Sequence, residues 1–176
     1  VRASVGTWIK DIAADDKLLP SCCEDNMAFI RKHPQVRFLT SYQDVYNDTF
    51  DENNLVARNS SYRRLEIFEK SAEQQLKLMA FQIFVMAPTM FYMRSLYEEV
   101  GGYDERYSYE DHPFYVKILE NGTKLYFMPK TTVAYRIHQS TYNSNSKLFN
   151  FKFALSSKQF RKERCSQYYG FRQKIA

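Results

Sequence analysis

Apolar and polar positions alternate, cluster and alternate again over the first forty-odd residues. Thr7 to Ala13 mixes alternating with β-branched positions and predicts a strand running into Asp15-Asp16. Pro20 suits the first turn of a helix that presents Met27, Phe29 and Ile30 and ends at His33-Pro34. Val36 to Tyr42 alternates and predicts a second strand, whereas the Asp- and Asn-rich stretch Gln43 to Ser61 reads as a loop with turns. Leu65, Phe68, Ala72, Leu76, Met79 and Ile83 form one stripe, predicting a helix from Tyr62 to about Val85. A short strand, Met90 to Arg94, precedes a helix from Ser95 to Val100 that stops at Gly101-Gly102. Asp111 opens a helix with Pro113 in its first turn, and Asn121-Gly122 closes it. Lys124–Met128 and Thr132–Ile137 read as strands, and Lys147 to Arg164 as a helix. Strands alternating with helices predict one α/β sheet domain, without a repeat.

Composition supports a folded chain: 44% of the 176 residues are hydrophobic, 16% aromatic, and only 5 Gly and 5 Pro occur. That excludes disordered, collagen-like and low-complexity classes. The longest apolar stretch, Ala80 to Met93, is broken by Gln82 and Pro88 and falls short of the roughly 20 residues a bilayer span needs. Cys22, Cys23 and Cys165 make neither a disulfide ladder nor a C-x-x-C zinc pair, so a reducing compartment is expected. The formal charge of +5 is unevenly placed. From Lys147 onward eight basic residues face one acidic residue, Glu163, while the preceding 146 residues sum to −2. The domain body is thus a poor nucleic-acid surface, and the tail, with Phe149, Phe151, Phe153 and Phe160, reads either as an amphipathic helix at an anionic membrane or as a packed helix with a solvated basic face.

Three polar clusters fall where the predicted elements end. Asp15 and Asp16 follow the first strand, where carboxylate oxygens suit Mg²⁺ or Mn²⁺ but equally cap a helix. Gly101-Gly102 leads through an acidic and aromatic loop to Glu110-Asp111, where a carboxylate can take a proton from a hydroxyl or simply cap the helix. Tyr135-Arg-Ile-His138 leaves a strand, with Arg136 suited to phosphate and His138 to a metal.

In this order and spacing, Trp8-Ile-Lys…Asp15-Asp16, Val100-Gly-Gly-Tyr-Asp-Glu…Glu110-Asp111 and Tyr135-Arg-Ile-His138-Gln-Ser140 resemble the family 2 glycosyltransferases of GT-A fold, from about Gly6 to Ser144. The resemblance implies an α/β domain with a Rossmann-like mixed sheet flanked by helices, of which this chain is the later part. The family's opening nucleotide-binding strands have no counterpart before Val1. It also implies residues 1–146 as the later part of the transferase domain, while the charge pattern sets off 147–176 as a basic amphipathic helical tail. By the same resemblance Asp15 and His138 hold a divalent metal, Mn or Mg, and Asp111 is the catalytic base beside Glu110. Asp16, Arg136, Gly101 and Gly102 border donor and acceptor. Ala13 stands where the family has the first Asp of its D-x-D motif.

The implied function is inverting transfer of a sugar from a nucleoside-diphosphate sugar to a saccharide or lipid-linked acceptor, in bacterial surface-polysaccharide synthesis. The implied location is the cytoplasm, peripheral at the inner face of the plasma membrane. A sheet lacking its first strands would expose an edge and an apolar face, and predicts a homo-oligomer. A non-catalytic carbohydrate-binding domain, which Ala13 would suit, and a nucleic-acid-binding module stay open as alternatives.

Overall fold

A computed structural model describes residues 1, 3–61, 64–137 and 147–169. Its centre is a ten-residue strand, β3 (Phe38–Asn47), most of whose side chains are buried. Before it come two short strands, β1 (Trp8–Ile9) and β2 (Lys17–Leu18), and helix α1 (Cys22–Lys32). After it come β4 (Leu55–Ser60), α2 (Ala72–Met79), β5 (Phe91–Met93), α3 (Arg94–Glu99), α4 (Asp111–Glu120), β6 (Tyr126–Ile137) and α5 (Lys147–Phe160). The sheet runs β1-β5-β3-β6-β2, with β4 pairing the later half of β3. Among the described residues only β3 and β6 pair in parallel, and the other pairings are antiparallel. This mixed α/β sheet flanked by helices is the expected architecture.

Successive strand side chains point to opposite faces, and the core divides accordingly. Leu39 and Phe91 join Ile30, Val36 and Met128 under α1. Their neighbours Phe38 and Tyr92 turn to the larger core, with Met79 of α2, Leu96 of α3, Phe114 and Tyr115 of α4 and Phe160 at the end of α5. The last helix is therefore tied to the domain. Phe160 packs edge-on against Tyr107, and Arg164 pairs with Glu120.

Four expectations need correction. The predicted first strand shrinks to two residues, and Lys17–Leu18 forms an unforeseen strand paired with Val133 and Ala134. The expected loop 43–61 contains a β-hairpin: Val45 and Tyr46 carry β3 onward because both are buried, and Asp44 fixes the returning strand by accepting from the Asn59 amide at 2.8 Å.

The long helix expected over 62–85 is a 3₁₀ turn, Leu65–Glu69, followed by the short α2. Ser71 restarts the chain there as an N-cap, in a reciprocal capping box with Gln74. The stripe does mark the core side, with Phe68, Leu76 and Met79 buried and Leu65, Ala72 and Ile83 partly buried against them, but it spans two helical pieces and the chain just beyond. Buried Gln75 joins them to the sheet by donating to the carbonyls of Ile67 and Leu125 and accepting from the Leu125 amide. Finally, the two strands expected around Pro129 are one strand with a register shift opposite Ser41–Tyr42. Proline lacks the amide that a regular ladder requires there.

Candidate active site

The end of β1, the 3₁₀ turn Ala87–Thr89 and the segment leading into α4 enclose a cleft of ≈ 560 Å³. Its walls carry Lys10, Asp11, Asp16, Pro88, Tyr103 and Glu110, with Ile12 and Ala13 among the apolar positions. The Ala87–Thr89 turn is anchored by hydroxyls: Thr89 Oγ1 meets Thr40 Oγ1 of β3 at 2.5 Å and donates to the Met86 carbonyl. The Pro88 carbonyl is thereby held over the end of β1.

Lys10 uses that carbonyl. Its ammonium donates to the Pro88 oxygen and, at 2.8 Å, to the Asp11 carbonyl. Burial pushes its pKa down to about 8, while Cys22, Asp11, Cys23 and Asp16 pull it back up. The Asp11 carboxylate accepts from the hydroxyls of Tyr92, at 2.5 Å, and Tyr103. Those hydroxyls also lie 2.9 Å from each other. Burial, and then the hydrogen bond to Asp11, hold both phenols protonated far above their ordinary range.

Asp16 closes a turn through its amide bond to the Ala13 carbonyl, and its Oδ1 accepts from the Arg136 amide at 3.0 Å. Burial raises its carboxyl against that hydrogen bond. Asp15 stands half-buried at the turn, outside the cleft wall. The backbone of Arg136 thus reaches the acidic segment, but its guanidinium lies over the Phe50 ring at 5.4 Å.

Glu110 and Asp111 separate. Glu110 is exposed on the cleft wall. Asp111 is the first residue of α4, with an oxygen accepting from the next amide, His112, at 2.8 Å. Burial raises its carboxyl, the His112 amide lowers it, and the neighbouring Glu110 charge raises it further. Gly101 and Gly102 border an adjacent depression instead, sharing only Tyr103 with the cleft. Their positive φ angles, 71° and 65°, turn the chain so that Tyr103 can reach Asp11.

His138 lies outside the described residues. Among the described residues no three His, Cys, Asp or Glu side chains are grouped to hold a metal. Asp16 has one oxygen engaged by Arg136, Ala13 supplies no carboxylate and Lys10 brings a positive charge. Beside them stand the Asp11 carboxylate, which accepts from two tyrosine hydroxyls, and exposed Glu110, so the cleft wall is acidic on balance.

No family model and no curated protein matches the sequence. Solved structures do. The chain is similar in fold to TarS. Against the crystal structure of S. aureus TarS 1-349 the TM-score is 0.52 at 14% identity, covering 99% of this chain and 52% of that one. A second S. aureus TarS structure matches with a TM-score of 0.47 at 14% identity, covering 99% of this chain and 32% of that one. The chain therefore spans about half, or less, of these structures.

Sequence reasoning passed over Lys10, Asp11 and Tyr103 as site residues. The signal for the first two was present, because an adjacent charged pair interrupts the otherwise apolar Trp8-to-Ala14 run. Tyr103 carries no such signal; only the Gly101-Gly102 turn brings it to Asp11.

Proposed function

We propose that the chain belongs to a glycosyltransferase that moves a sugar from a nucleoside-diphosphate donor to a hydroxyl of a saccharide or lipid-linked acceptor. The observation that carries this reading is the cleft itself. The acidic segment after β1 faces Glu110 at the start of α4, on a fold shared with TarS, a glycosyltransferase.

The cleft chemistry suits a single displacement. An acceptor hydroxyl is a weak nucleophile, so a carboxylate must take its proton as the oxygen attacks the anomeric carbon. The new C–O bond forms as the bond to the diphosphate breaks, and the diphosphate leaves with the bonding pair. Attack opposite the leaving group inverts the anomeric centre. This reading gives the proton to Glu110, which is exposed on the cleft wall, rather than to Asp111, the base that the family resemblance implies. Asp111, one residue behind, keeps the site acidic and orders the helix start through the His112 amide. The Asp11–Tyr92–Tyr103 network holds two walls of the cleft together.

A screen of nucleotide sugars with the full-length protein, reading nucleoside diphosphate release with Mn²⁺ and with EDTA, tests the proposal. Donor-dependent release that rises with an added saccharide acceptor is expected. Binding of saccharides without release from any donor would leave a carbohydrate-binding domain in its place.

A further inference from the structure

Helix α5 is bound to the domain along one side only. Phe153 packs on Tyr109, Ser156 accepts from the Ser108 amide at 2.9 Å, and Phe160 is buried against His112 of α4. Helical spacing puts Phe151, Leu155 and Lys158 on the side away from Phe160, where all three are exposed. Beside them a groove of ≈ 600 Å³ runs from α5 into the turn that follows it. Phe153, Ala154 and Tyr169 give the groove its apolar lining, and Tyr169 is held there by packing on Phe81 at 5.2 Å. Its charged lining is Lys158, Arg161 and Lys162, with no carboxylate among the described residues. Two carboxylates belong to the surrounding surface, Glu163 beside Tyr107 and Glu120 beside Arg164. Lys152, Lys158, Arg161, Lys162 and Arg164 outweigh them even with both counted as charged.

We infer that this face of α5 docks the protein on an anionic lipid bilayer, lying in the plane of the interface. Exposed phenylalanine and leucine lose free energy in water and gain it among acyl chains. Lysine keeps its ammonium at the level of lipid phosphates while its stem lies along the apolar layer. Only a surface that offers apolar depth and negative charge together satisfies both halves of the face. A soluble polyanion would meet the lysines and leave Phe151 and Leu155 in water. The groove shares no lining residue with the cleft, so the inference does not rest on the transferase reading.

Cosedimentation of the full-length protein with vesicles tests it, using phosphatidylcholine alone and phosphatidylcholine with one quarter phosphatidylglycerol. Wild type should bind the mixed vesicles and not the neutral ones. Each surface lysine contributes about 1 kcal/mol at an anionic membrane, so Lys158→Gln with Lys162→Gln should weaken binding roughly thirtyfold. Lys17→Gln with Lys32→Gln removes equal charge from exposed positions elsewhere and should change it far less. Phe151→Ser with Leu155→Ser, which alters no charge, should also weaken binding, by at least tenfold. Absence of binding to the mixed vesicles overturns the inference. So does an equal loss from the two lysine pairs, which would make the attraction one of net charge, or wild-type affinity in the serine pair.

Protection in the wild-type protein gives a measure that needs no variant. Mixed vesicles should slow acetylation of Lys158 and Lys162 by a water-soluble acetylating ester, read by peptide mass spectrometry, while Lys17 reacts as before. Equal protection of all three, or of none, overturns the proposal.

Discussion

Glu110 and Asp111 are adjacent in the chain and meet different surroundings. The first faces the cleft; the second is half-buried against its own helix start. If the exposed carboxylate takes the proton, Glu110→Gln should lower turnover by roughly 10²–10⁴ with the fold intact. Asp111→Asn should cost less. Steady-state rates of the two variants decide, and the reverse order would assign the base to Asp111.

The next residue, His112, supplies a pH prediction. Its Nε2 donates to the Met79 carbonyl at 2.8 Å, its ring packs edge-on against Phe160, and Arg161 adds a nearby positive charge. Burial lowers its pKa from 6.5 to about 4, with Arg161 acting in the same sense and the Met79 bond against it. The unfolded chain therefore takes up this proton at higher pH than the folded one. Stability is whole above about 6.5 and falls as pH drops to about 4, by on the order of 3 kcal/mol. Asp16 and Asp111, whose carboxyls burial raises, act in the opposite sense. Urea midpoints of wild type and His112→Gln between pH 7 and 4.5 isolate the histidine: the variant should lose the steeper part of the decline.

At the scale of elements, the turn after α3 decides whether the site assembles. Gly102 and Gly122 both adopt positive φ, 65° and 82°, but a Cβ at Gly102 would meet the Tyr97 ring at 2.8 Å, whereas one at Gly122 meets nothing within 4 Å. Gly122→Ala should cost about 1 kcal/mol, the backbone penalty alone. Gly102→Ala should cost more, roughly 2–3 kcal/mol, because the Tyr97 ring must also move. That ring packs against Tyr103 at 5.3 Å, so the change should reach the Asp11 network as well. Thermal melts of both variants test the ranking, and an equal loss would mean that Tyr97 yields freely.

For the molecule as a whole, the charge asymmetry does not amount to a detached tail. Phe160 is 1% exposed and meets Tyr107, Tyr109 and His112, while Phe151 and Leu155 on the same helix are 60% and 51% exposed. Beyond it Glu163 accepts from the Tyr107 hydroxyl, and Arg164 pairs with Glu120. One end of the segment is thus cemented to α4 and the other presents apolar side chains beside lysines. Phe160→Ala should destabilise the whole domain by about 3–5 kcal/mol in a single urea transition. A separate early transition for the tail would show that it folds by itself. Among the described residues no helix is long and apolar enough to cross a membrane.

The hydrophobic pattern by itself determined the alternating α/β order, the limits of α1 and α4 and the two glycine stops, because helix periodicity and caps are local. The residue order around Asp15, Glu110 and Asp111 likewise pointed to the segments that now form or border the cleft. Tertiary structure decided what local pattern could not. Val45 and Tyr46 extend β3 through a stretch of polar residues because neighbouring strands bury them. Ser71 divides one apolar stripe into a 3₁₀ turn and a helix because both pieces must reach the same core. Lys10 and Tyr103 became site residues only through partners far along the chain, Pro88 for the one and Asp11 for the other. Sequence records which groups are charged; burial and fixed hydrogen-bond partners determine which charge a ligand can meet.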